Sequence, residues 1–71
     1  MFPIIDKIDK ALESKAECTL IDKSGRYFHG VVVDSWIRIS AAKLRGKLVF
    51  NSKEKGEIEM DANDILDLLL K

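Results

Sequence analysis

A single cysteine, Cys18, excludes an internal disulfide, and a single histidine, His29, leaves no cysteine or histidine cluster with the spacing of a metal site. With no disulfide framework to oxidise, a reducing, cytoplasmic home is expected. One proline and four glycines are too few for long linkers or extended disorder. Long apolar runs are missing as well. Leu68-Leu69-Leu70 is far too short to span a bilayer, and Asp6 interrupts the apolar opening before a signal-peptide core can form. No membrane role is therefore expected. Charge of one sign is lacking too: twelve basic and twelve acidic side chains give a net charge of zero, which argues against non-specific nucleic-acid binding by the whole surface. Nor is there a Gly-rich phosphate loop or a Ser/His/Asp set, so the expectation is a non-catalytic chain with no cofactor and no metal.

At 71 residues the chain has room for one domain, and one so small that oligomerisation would help to stabilise it. Its centre is the segment 19–33, where two β-prone runs flank the polar turn Lys23-Ser24-Gly25. Gly30 interrupts the longer run just before Val31-Val32-Val33, which predicts a hairpin whose second strand bends sharply at that glycine.

Before this hairpin, residues 3–16 read as an amphipathic helix with Ile4, Ile5, Ile8, Ala11 and Leu12 on one stripe. The stripe covers an open side of the sheet or meets a partner. Strands are expected at 17–22, 26–34 and 36–41, followed by a loop at 42–46 and strands at 47–52 and 57–60. The last two are joined by the turn Lys53-Glu54-Lys55-Gly56, and Glu57-Ile58-Glu59-Met60 alternates strictly. For the tail, a 3₁₀ turn over 61–64 followed by a strand over 66–70 is preferred to a short helix.

Gly25-Arg26-Tyr27-Phe28-His29-Gly30 has the spacing Gly-Arg-x-Phe-x-Gly, with Leu20-Ile21-Asp22 before it and a valine run after it. This resembles the first motif of the Sm-like (Hfq/SH3-type) small β-barrels, and the order of elements over 3–70 is similar too. The resemblance implies a mainly β fold: an N-terminal α-helix over 3–16 and a five-stranded SH3/Sm-like small barrel over 17–70 in a single domain spanning 1–71. It also implies assembly into a homo-oligomer by edge pairing, and single-stranded RNA as partner. The alternative is an α+β meander with two terminal helices. The chain departs from the family pattern at Asp34, which follows Gly30 too closely, and no asparagine stands at the family's base-contacting place. Leu44-Arg45-Gly46 is similar to the second Sm motif but comes early, with a full hairpin still to follow.

The charges are unevenly distributed. Residues 36–55 carry six basic side chains against one acidic, a net of +5, and residues 56–71 carry one basic against five acidic, a net of −4. Aromatic and basic residues associate around Arg26, Tyr27, Phe28, Trp36 and Arg38, the combination with which small barrels hold single strands. Arg26, Tyr27, Arg38, Lys43, Arg45 and Lys47 are the candidate RNA contacts. Tyr27 is expected to be exposed and Phe28 buried, while for Trp36, beside a turn, core and contact are closely matched. His29 reads as a rim histidine, Cys18 as a buried thiol, and Asp22 and Asp34 as turn-forming carboxylates. The competing function is a protein-interaction or assembly module using a sheet edge or the helix stripe, with no nucleic-acid role.

Overall fold

The structure is a computed structural model and describes residues 3–70. It is mainly β with one N-terminal helix. Helix α1 (Pro3–Ser14) is followed by β1 (Cys18–Asp22), β2 (Tyr27–Ser35), β3 (Arg38–Ser40), β4 (Lys43–Arg45), β5 (Lys47–Ser52), β6 (Gly56–Asp61) and β7 (Ile65–Leu70), with a 3₁₀ turn (Ala62–Asp64) between β6 and β7. The tail is thus turn and strand, and the version with a second terminal helix falls. Asp61 caps the 3₁₀ turn by accepting from the Asn63 N–H.

Helix α1 stops at Ser14, two residues before the expected end, because Lys15 turns left-handed at φ 55 and its N–H closes the last turn on the Ala11 carbonyl. Ile8 and Ala11 are buried in the core, and Ile4 and Leu12 pack against it. The helix stripe is therefore core cover, which removes it as a free docking surface.

Five strands form one antiparallel sheet in the order β6-β5-β2-β1-β7. β2 is long because it serves two partners. Its first half pairs with β1 and its second half with β5, and Gly30 belongs to both ladders, opposite Cys18 on one side and Ser52 on the other. A Cβ built on Gly30 would lie 1.9 Å from the Asn51 carbonyl oxygen, so the two strands approach more closely than any side chain permits. A bulge at Val33 bends β2 again, as the register shifts between Val32 and Asp34.

β6 and β7 lie at opposite edges of the sheet but are joined by three residues. In a flat sheet the edges would be at least about 19 Å apart, whereas the four steps from Asp61 to Ile65 reach about 14 Å. The sheet must therefore curl around its core. That core is Cys18, Leu20, Phe28, Val32, Leu48, Phe50, Ile65 and Leu68, with Ile8 and Ala11 from the helix. Burial pushes the Cys18 thiol up, as befits a structural rather than a reactive cysteine.

One expected element is different. Residues 36–41 do not join the main sheet as its third strand, and 42–46 is not a loop. Instead β3 and β4 pair with each other as a separate two-stranded arm inserted between β2 and β5. The arm turns at Ala41 and Ala42, both left-handed at φ 52 and 62, the backbone that a two-residue hairpin turn needs.

The turn between β5 and β6 is tied back onto β2. The Lys53 N–H donates to the His29 carbonyl at 2.7 Å, and Glu54 accepts from the His29 N–H at 2.9 Å. Nδ1 of His29 lies 2.6 Å from the other Glu54 oxygen, and because a carboxylate only accepts, that nitrogen is assigned the proton. The His29 ring, and after it the His29 backbone N–H, holds the Glu54 carboxyl down to about 2, from an ordinary 4.5. A carboxyl lowered by folding stabilises the fold above its unfolded value, and that contribution is lost as pH falls through the folded value. The tether is thus expected to survive acidification through the ordinary carboxylate range and to release only near pH 2. Carboxyl-carbon NMR should place the Glu54 midpoint there, and a midpoint near 4.5 would show that the tether does not form in solution.

Candidate nucleic-acid interface

The arm gathers half of the sequence-predicted contacts. Its register sets Arg38 opposite Arg45, Ile39 opposite Leu44 and Ser40 opposite Lys43. Alternation along each strand then places Arg38, Ser40, Lys43 and Arg45 on one face, and Ile39 and Leu44 on the other. Arg38, Lys43 and Arg45 are all exposed. Among the described residues none of the three has an ion-pair partner, whereas Arg26, Lys47 and Lys53 of the curled sheet and its turns each have one. Like charges directly opposed across a strand pair repel. Arg38 and Arg45 stand in that relation, so an anion lying between them would relieve the repulsion.

The base of the arm is firmly built. The Trp36 N–H donates to the Lys47 carbonyl at 3.0 Å, which carries the register of the arm toward the sheet, with Ile37 opposite Gly46. Gly46 has φ +116, and a Cβ there would lie 2.0 Å from the Trp36 carbonyl oxygen, so only glycine fits this junction. The Gly46 carbonyl in turn accepts the Ala62 N–H at 2.9 Å, anchoring the arm to the 3₁₀ turn. Ile37 packs against the core, and Trp36, the next residue toward the sheet, is 45% exposed. Trp36 therefore continues the outward face that carries Arg38. Parity alone would have indicated this once residues 36–40 were read as extended with Ile37 inward.

The remaining candidates lie elsewhere or are engaged. Lys47 sits at the foot of the arm, but its ammonium is 2.9 Å from Glu59, whose hydrogen bond and charge raise the lysine pKa. Arg26 belongs to the β1–β2 turn, where Nε donates to Ser24 Oγ at 3.1 Å and lies 3.4 Å from Asp22 Oδ2. Tyr27 is exposed as expected, but it opens β2, whereas the arm leaves from the other end of that strand. The structure thus brings together Arg38, Lys43 and Arg45, places Lys47 beside them, and does not add Arg26 or Tyr27.

Next to the β1–β2 turn is an open cleft of about 420 Å³ bordered by Asp22, Arg26, Glu59, Asp61 and Asp64. Asp22 is buried, and its Oδ1 accepts from the Ser24 N–H, the Ser24 hydroxyl and the Arg26 N–H. The Ser24 hydroxyl first, then the Arg26 N–H, lowers its pKa, so Asp22 is a turn builder. Among the described residues no group of histidine, cysteine, aspartate and glutamate is arranged to hold a metal ion. No described helix is long and apolar enough to cross a membrane.

No family model, curated protein or solved structure matches this chain. The functional reading accordingly rests on the arm and on the sheet that carries it.

Proposed function

We propose that this chain is a small, non-catalytic nucleic-acid-binding module, with RNA as its partner, that grips the phosphodiester backbone with the outward face of its arm. The observation that carries this reading is the set Arg38, Lys43 and Arg45, presented on one exposed face with no ion-pair partner among the described residues. A net charge of zero is compatible with it, because the acidic side chains lie on other elements, notably β6 with Glu57, Glu59 and Asp61. The curled sheet is read as an SH3/Sm-like small barrel left open between β6 and β7. Its strand order and the short 3₁₀ link between its edges support that reading.

A second reading rests on a different observation. β7 is an edge strand with Leu66, Leu69 and Leu70 exposed, whereas the other edge, β6, is guarded by Glu57 and Glu59. An unguarded apolar edge suits assembly with another chain, and a homo-oligomer would use it without any nucleic acid.

One titration tests the first reading and discriminates it from the second. Fluorescence anisotropy of a labelled RNA oligonucleotide is followed at increasing salt, alongside the solution mass of the protein by light scattering. Phosphate contacts release counterions, so the logarithm of the binding constant is expected to fall linearly with the logarithm of salt concentration. Salt-independent binding, or none, defeats the nucleic-acid reading. No binding together with a stable mass of several chains favours assembly.

A further inference from the structure

We infer that Trp36 is a stacking platform for an unpaired base, which makes single-stranded nucleic acid, rather than duplex, the ligand of the arm. This inference rests on the proposed grip of Arg38, Lys43 and Arg45 on phosphate and adds to it the chemistry of the base.

The first argument is the exposure of Trp36 itself. Two of the other aromatics in the β segments, Phe28 and Phe50, are buried in the core, and Ile37 turns inward beside Trp36. The largest aromatic side chain is left 45% exposed at a point where its immediate neighbour finds the core. An indole in water forgoes a large burial gain, and a flat partner recovers it.

The second argument is rigidity. The backbone of Trp36 is held by its N–H bond to Lys47 and by the close approach of Gly46 to its carbonyl, so the ring stands on a fixed base. A platform whose backbone is fixed in advance loses less conformational freedom when a base settles on it.

The third argument is spacing. Trp36 lies in the two-residue link before β3, two residues from Arg38 and so within about 7 Å of it along the chain, and Arg45 lies directly across from Arg38. A base stacked on the indole therefore has its own backbone beside the arginine pair, and the strand continues toward Lys43. Aromatic stacking combined with a cationic track is how single strands are held without regard to sequence. A duplex keeps its base faces inside the helix, so it offers this surface phosphates and nothing for the indole.

Trp36 is the only tryptophan in the chain, so its emission reports on this position alone. The experiment titrates the full chain with a mixed-sequence RNA oligonucleotide, first as a single strand and then as the blunt duplex with its complement, and follows tryptophan emission and anisotropy together. The single strand should quench the emission and bind about tenfold or more tighter than the duplex. Trp36→Ala should lose about tenfold or more in single-strand affinity while keeping the salt dependence, since no charge is removed. Trp36→Phe retains a π face and should recover part of the loss. Equal affinity for the two forms with unchanged emission overturns the role of Trp36 and leaves the phosphate grip standing. Absence of binding to either form overturns the grip, and the stacking role with it.

Discussion

Gly30→Ala is expected to destabilise this domain severely. The position is not demanding in φ; what it lacks is space. The added methyl would meet the Asn51 carbonyl oxygen at 1.9 Å, and that atom is backbone, so no rotamer change can move it aside. Relief requires separating β2 from β5 at the residue where β2 passes from one ladder to the other, opposite Cys18 and Ser52. Val32, Leu48 and Phe50 form the core immediately beyond that point, so opening the seam exposes the centre of the fold. A destabilisation of about 4 kcal/mol or more is expected, in the range reached only by severe packing defects. Small domains hold about twice that in total. A thermal melt followed by circular dichroism should show a midpoint lowered by about 20 °C or more, or no cooperative transition at all. A variant melting within about 4 °C of the parent, the shift expected from roughly 1 kcal/mol, would mean that β2 and β5 do not approach as described.

That glycine was legible in the sequence because it breaks a run of β-formers where nothing else explains a break. The alternation of Glu57-Ile58-Glu59-Met60 was legible for a related reason: period two has few other physical meanings, and Ile58 and Met60 do pack against the core. The arm was not legible. A two-residue hairpin turn usually announces itself with Asn-Gly or a similar pair, because both central residues need positive φ. Here Ala41 and Ala42 occupy those places, each at a cost of about 1–2 kcal/mol, so residues 36–46 carried no turn signal and were divided between a strand and a loop. The error reached the site. With Arg38 assigned to one element and Lys43 and Arg45 to another, nothing indicated that Arg38 and Arg45 stand opposite each other. Charge counting marks the basic segment, but only pairing shows which of its cations share a face. Arg26 stands apart from the arm, as its partner Asp22 lies four residues away and the turn that joins them is local. The pairing of Lys47 is hidden from the linear sequence, because Glu59 reaches it across the β5–β6 hairpin, twelve residues on.

Replacing Arg38, Lys43 and Arg45 together by glutamine is expected to remove most nucleic-acid binding while leaving the fold intact. The three side chains are exposed and make no ion pair among the described residues, so their loss breaks no ion pair there. It also removes the repulsion between Arg38 and Arg45, and stability is expected to change by less than about 0.5 kcal/mol, as at other exposed positions. Binding responds differently. On a single strand each phosphate contact contributes about 0.7 to the slope of log affinity against log salt, so the triple variant should have a slope flatter by about 2. The same measurement on Arg26→Gln supplies the contrast, since Arg26 is occupied by Asp22 and Ser24 in the β1–β2 turn and should leave the slope unchanged. If Arg26→Gln flattens the slope as much as the arm variant does, binding is spread over the surface and the arm has no special part in it. If only the arm variant flattens it, the cations that bind are the three that share the outward face of the arm. The paired lysines and arginines of the curled sheet then serve the fold.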